Sequence, residues 1–122
     1  MNLAGPAGDR EVNRLLQRNE ARHVVLLAMD GTTVRGIGEL FGEHVGRADL
    51  GLVVEDAFQG RGIGRALLRA LEKIALDRGI RAFTGDMAYG NARAVALLHG
   101  AGRALQTHVG SGGVQFTLVL QA

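Results

Sequence analysis

The stretch Gln59-Gly60-Arg61-Gly62-Ile63-Gly64-Arg65 decides the reading of this chain. Before it, Leu50-Gly51-Leu52-Val53-Val54 is an apolar run of strand length. After it, Ile63, Ala66, Leu67, Ala70, Leu71, Ile74 and Ala75 recur at the spacing of an amphipathic helix. A strand, a turn crowded with glycine and arginine, and a helix together build a seat for an anion. The first N–H groups of a helix have no partner within it, and they lie at the positive end of its dipole. Glycine lets a phosphate approach those donors with no Cβ in the way. The loop is therefore expected to hold a phosphorylated ligand, with a glycine turn that merely caps a helix as the plainer alternative.

Spacing narrows the ligand. The dinucleotide fingerprint G-x-G-x-x-G fails, because the sixth position is Arg65 counted from Gly60 and Leu67 counted from Gly62. A P-loop needs G-K-[ST], and the single lysine, Lys73, lies deep in the helix. What fits is Q-x-x-G-x-G, at Gln59, Gly62 and Gly64. Here the chain resembles the GNAT superfamily of acyl-CoA N-acyltransferases, whose pyrophosphate loop carries that pattern at the same strand-to-helix junction. The likeness runs on through Leu67-Leu68, returns at Asn91-Ala92-Arg93-Ala94, and covers roughly residues 23 to 120. Val53 to Gly64 looks like the GNAT domain of bacterial protein lysine acetyltransferases.

The resemblance implies an α/β (α+β) fold: a mixed, mostly antiparallel sheet flanked by helices. The sheet should splay between the strands at Asp49–Val54 and Ile80–Met87 to admit a pantetheine arm. It implies acetyl-CoA as donor and a primary amine as acceptor, joined by direct attack without a metal or covalent enzyme intermediate. Backbone N–H groups from Gln59 through Gly60, Arg61, Gly62, Ile63 and Gly64 to Arg65 would hold the pyrophosphate, with Arg61 and Arg65 adding charge. Leu52, Val53 and Val54 would offer backbone groups to pantetheine, the N–H of Val53 serving the oxyanion. Asn91 would hydrogen-bond the pantetheine, a role compatible with capping a helix.

Asp49 precedes Gln59 by ten residues, at the place where several GNAT protein acetyltransferases carry a glutamate base. It is the candidate base here, one methylene shorter, so that a bridging water is expected. Glu39 on the preceding strand is the reserve. The family pattern N-x-x-A-x-x-L-Y ends in the acid that protonates the departing thiolate. In this chain it reads Asn91, Ala94, Leu97, Leu98, and Tyr89, the only tyrosine, lies before the helix. Protein lysine is the favoured acceptor by resemblance, and a small polyamine-like or antibiotic amine comes next. Glu39, Glu43, Asp49, Glu55 and Asp86 would bias that side toward a cation. The alternative is a catalytically silent module of the same fold that binds acyl-CoA or a protein partner.

Composition agrees with one domain over residues 1–122, of which 1–8 read as disordered. There is no cysteine, and the histidines at 23, 44, 99 and 108 show no paired ligand spacing, so no metal is expected. Thirteen arginines and one lysine make the 14 basic residues, but they are scattered and leave a net charge of +2, giving no case for nucleic acid. No apolar run approaches the roughly 18 residues of a membrane span, and a cytoplasmic enzyme is the default.

Along the chain, Asp9 to Ala21 reads as a short helix with Val12, Leu15 and Leu16 on one face. His23–Met29 and Val34–Phe41 read as strands around Asp30-Gly31. A helix should run from Gly62 to Arg78 and stop at Gly79. Further strands are expected at Arg103–Val109 and Val114–Leu120. With no β-rich run before Asp9, the usual first strand of the family is apparently lacking. The edge of His23–Met29 would then be bare, which favours a homodimer.

Overall fold

The computed structural model describes residues 2–3, 14–20, 22–54, 62–87, 92–101 and 104–120. In chain order the elements are β1 (Asn2–Leu3), β2 (Arg14–Glu20), β3 (His23–Asp30), β4 (Thr33–His44) and β5 (Arg47–Val54). Then come α1 (Ile63–Asp77), β6 (Ala82–Met87), α2 (Ala92–His99), β7 (Ala104–Gly110) and β8 (Gly113–Val119). The strands form one sheet in the order β1-β2-β3-β4-β5-β6-β8-β7. Among the described residues only β5 and β6 run parallel, because α1 is the crossover between them.

Period-two alternation fixes which face is core. Val24, Leu26 and Ala28 of β3 are buried, while Val25 and Leu27 between them are only partly so. Against that face α1 lays the stripe Ile63, Leu67, Leu68, Leu71 and Ala75. Full burial of leucines such as Leu67 and Leu71 contributes about 2 kcal/mol each. The helix settles this closely because β4 presents glycines beneath it. A Cβ on Gly38 would lie 2.8 Å from Leu71 Cδ1, and one on Gly36 would lie 3.0 Å from Leu67 Cδ1. The helix stops as its sequence indicates: Gly79 is left-handed at φ 80°, and the N–H of Ile80 returns to the Ala75 carbonyl at 2.9 Å.

Glu39 and Phe41 of β4 and Asp49, Gly51 and Val53 of β5 lie on the opposite, open face. A Cβ placed on Gly51 would stand 3.9 Å from Glu39 Cβ and 3.8 Å from Phe41 Cε2, which puts the three together on that face. At the hairpin joining these strands, His44 pairs with Arg47 around Val45-Gly46, and both loop residues have positive φ, 54° and 74°. That is the signature of a type I′ turn, with a β-branched residue in a place that favours asparagine or glycine.

Three expectations are corrected. Residues 14–20 form a strand, not part of a helix; residues 9–13 and 21 lie outside the described residues. Val12, Leu15 and Leu16 imitate a helical face, but the alternation that governs is Leu15 and Gln17 buried, with Arg18 exposed. Pairing along β3 from Arg14↔Met29 to Glu20↔His23 satisfies the backbone and overrides the helix propensity of Leu, Arg and Gln. The first strand is therefore not lacking, and β2 occupies the edge of β3 that the sequence left bare. The reason for expecting a homodimer through that edge disappears. Asn2 and Leu3, expected to be disordered, pair with Leu16 and Leu15; residues 1 and 4–8 lie outside the described residues.

Candidate active site

The site begins where a ladder ends. β5 and β6 pair at Arg47↔Ala82, Ala48↔Phe83 and Asp49↔Thr84, and no further. Beyond that point each strand keeps its other neighbour: β5 stays paired with β4 as far as Gly36↔Val54, and β6 with β8 as far as Met87↔Val114. The two strands thus part into a V with Asp49 and Thr84 at its apex. Just past the apex, Gly85 is pressed between strands, since a Cβ there would meet the Phe116 ring at 2.7 Å and the Leu50 carbonyl oxygen at 3.2 Å.

Leu52, Val53 and Val54 form one arm of the V. Leu52 and Val54 point toward the start of α1, and Val53 stands 67% exposed on the open face. Among the described residues that start is an unneutralised helix terminus. The N-cap is Gly62, left-handed at φ 86°, with no side-chain cap and no acidic residue in the first turn. Ile63 is fully buried and anchors the turn, whereas Arg65 is exposed. Gly64 has a packing role beside the one its place in the motif suggests. Its missing Cβ would point at Leu97 Cδ2, 3.3 Å away, so this glycine brings α2 against α1 and β5. Gln59, Gly60, Arg61 and Asn91 lie outside the described residues, as does Tyr89.

Asp49 is exposed on the open face, and its Oδ1 accepts a hydrogen bond from the Thr84 hydroxyl. Thr84 was not singled out by sequence reasoning, because the register of two strands joined by a helical crossover leaves no local signal. Glu39 is not brought to the same point. Its Oε2 lies 2.7 Å from His23 Nε2, and His23 stacks on Phe41 with ring centroids 4.5 Å apart. In the sheet, Phe41 is the in-register neighbour of Asp49, and Gly51 is that of Glu39. Leu98, in the place of the family tyrosine, is buried in the core. His99 is exposed at the end of α2.

From Asp49 the open face continues across β6, β8 and β7 as a cleft of about 440 Å3. Thr84, Asp86, Gln106, His108, Gln115 and Thr117 line it, so it offers carboxylates, hydroxyls and amides. Among the described residues no group of three or more His, Cys, Asp or Glu could hold a metal ion, and no helix is long and apolar enough to cross a membrane.

A profile described as the acetyltransferase (GNAT) family matches residues 4–102. The chain belongs to that family. It is 36% identical over 100 residues to a mycothiol acetyltransferase from Geodermatophilus obscurus, a match covering 82% of this chain and 28% of that protein. Its fold is similar to the GNAT domain of S. lividans PAT, with a TM-score of 0.72 and 26% identity over 81% of this chain and 61% of the other. It is likewise similar to the PaiA N-acetyltransferase of Thermoplasma acidophilum, a structure in complex with coenzyme A. There the TM-score is 0.67 and the identity 23%, over 78% of this chain and 60% of that one. The chain thus spans little more than a quarter of the curated relative it matches.

Proposed function

We propose that this protein is an acetyl-CoA-dependent N-acetyltransferase acting on a primary amine by direct attack. The observation that carries the reading is the parting of β5 from β6 at Asp49 and Thr84, beside a helix terminus without cap or acid. A thioester arm needs the first and its phosphates the second. N–H groups from Gln59 to Arg65 hold the pyrophosphate, and the side chains of Arg61 and Arg65 add charge. Leu52, Val53 and Val54 line the pantetheine with their backbone, and Asn91 hydrogen-bonds it.

The acceptor nitrogen forms a C–N bond to the thioester carbonyl. The Val53 N–H meets the oxyanion, a contribution of about 3 kcal/mol for one fixed donor. An alkylamine with a free pKa of about 10.4 must shed a proton, which passes to Asp49 directly or through one water. The C–S bond then breaks, and the thiolate takes its proton from solvent, because Leu98 replaces the family tyrosine. Glu39, engaged by His23, is the second candidate base.

Protein lysine is the acceptor that the resemblance favours. A small polar amine is the second reading, supported by the cleft that runs from Asp49 to Asp86 and His108. A third, the silent acyl-CoA-binding module, draws on Leu98 in the place of the tyrosine and on the shortened base Asp49. Thiol release from acetyl-CoA across lysine peptides, polyamines and amino sugars, beside calorimetry with CoA, separates them. Turnover that collapses in Asp49→Asn supports the enzyme; CoA binding without turnover on any amine supports the module. A protein that neither binds CoA nor turns over refutes both.

A further inference from the structure

We propose that Thr84 is a positioning residue, whose hydroxyl clasps Asp49 across the apex of the V and fixes both the carboxylate and the point where β5 and β6 part. The proposal rests on reading Asp49 as the proton acceptor. One row of side chains crosses the open face: His23, Phe41, Asp49, Thr84, Thr117 and Gln106, each in register with the next. Asp49 stands in that row between an aromatic ring and a hydroxyl. Phe41 offers it no donor, so within the row its orientation is set by Thr84.

Geometry gives the hydroxyl two tasks. An exposed aspartate on a strand is free to change rotamer, and a base that wanders is poorly placed for a proton in transit. Thr84 donates to Oδ1 of Asp49, a residue that lines the cleft. Its β-branched side chain prefers few χ1 values, so the donor itself is held. The bond also joins the last of only three paired residues on the parallel ladder. A clasp there keeps the strands from fraying toward Arg47 and Ala82, which would widen the V and carry the base away from the acyl group. It also answers the missing methylene of aspartate: a shorter side chain is serviceable if it is held still. The charged and titratable groups on the same open face are Arg47 two residues earlier on its own strand, Glu39 engaged by His23 on β4 and β3, and, along the cleft, Asp86 on β6 and His108 on β7. None of them is the recorded hydrogen-bond partner of Asp49.

Thr84→Val removes the donor while keeping the shape, and Thr84→Ser restores it. With acetyl-CoA and whichever of spermidine, N-α-acetyl-lysine amide or glucosamine turns over fastest, Thr84→Val should lower kcat by about tenfold and leave acceptor KM and CoA affinity within about twofold. Thr84→Ser should recover most of the rate. In the Asp49→Asn background, Thr84→Val should cost nothing further, since the two act as one unit. Amide exchange at Leu50 and Gly85 gives a readout that needs no turnover: faster in Thr84→Val, unchanged in Thr84→Ser. Unchanged kcat and exchange in Thr84→Val overturn the proposal, as does a full additional loss on top of Asp49→Asn. If Asp49→Asn leaves the rate intact, or no amine turns over, the base reading falls by itself. The exchange result then decides the clasp, sustaining it if only Thr84→Val opens the apex and refuting it otherwise.

Discussion

Reversing the charge of Arg65 should make the protein more stable and a poorer CoA binder. Arg65 is the third residue of α1, in a first turn with no acidic side chain and after an N-cap glycine that makes no side-chain hydrogen bond. The positive end of a helix gains from an acid at this position and loses from a base. Arg65→Glu removes the loss and adds the gain, each worth about 0.3–1 kcal/mol, hence roughly 0.6–2 kcal/mol together. With an unfolding entropy of roughly 2.1 cal/mol/K per residue over 122 residues, the melting temperature of the free protein should rise by about 2–8 °C. Arg65→Gln should fall between. A phosphate bound at the same terminus then meets a carboxylate, and the Kd for CoA should rise by about tenfold or more, equivalent to about 1.4 kcal/mol. Calorimetric scans at low salt and at about 0.5 M salt, where the Debye length shrinks to a few ångströms, should show the thermal gain fading. An Arg65→Glu protein that melts no higher, or binds CoA as tightly as before, refutes the account of this terminus as a site kept unneutralised for its ligand.

Val45 offers a gain without a functional loss. It is 87% exposed at φ 54°, where an L-residue costs about 1–2 kcal/mol, so Val45→Asn should raise the melting temperature by about 4 °C; no rise would mean the turn is unstrained. Gly38→Ala places a methyl 2.8 Å from Leu71 Cδ1, and overpacking should cost about 1–3 kcal/mol in a urea titration; an unchanged midpoint would show that α1 lifts freely. Asp49→Asn should lower kcat about a hundredfold with CoA affinity kept, and an intact rate at saturating acceptor would pass the role to Glu39 or solvent.

The parts of the fold legible in the sequence are those specified within one element or between neighbours. The stripe from Ile63 to Ala75 and the stop at Gly79 needed only helical periodicity and a left-handed glycine. The β3–β4 hairpin announced itself through Asp30-Gly31. Residues 14–20 were misread because strand identity came from the neighbouring β3, which a window on Leu15 and Leu16 does not contain. The same limit explains the site. Asp49 could be placed by its distance from Gln59, whereas Thr84 is its partner only through a parallel register set by the length and seating of α1. That seating depends on Gly36 and Gly38, which carry no periodic signal at all. Gly64 was legible as a motif member, but its contact with Leu97 makes it a packing residue as well.

The V itself has a cost that points to how it is filled. β5 is paired to β4 as far as Val54, and β6 to β8 as far as Met87, so each arm is secured on its outer side. What the parting leaves without a strand is the inner edge of each arm, a row of backbone groups that favour hydrogen bonds and lie beside the core. A ligand bearing amides along an extended arm completes the row without closing it, which is the chemistry of pantetheine. CoA at a hundred times its Kd should therefore stabilise the protein by about 2.7 kcal/mol, and part of that gain should appear as slower amide exchange within Leu52–Val54. A fragment without pantetheine offers a control: the adenosine 3′,5′-bisphosphate portion alone should protect the start of α1 and leave Leu52–Val54 unchanged. If intact CoA raised the melting temperature yet left exchange along that arm as fast as before, pantetheine would not run in the V, and the parting of β5 from β6 would need another occupant.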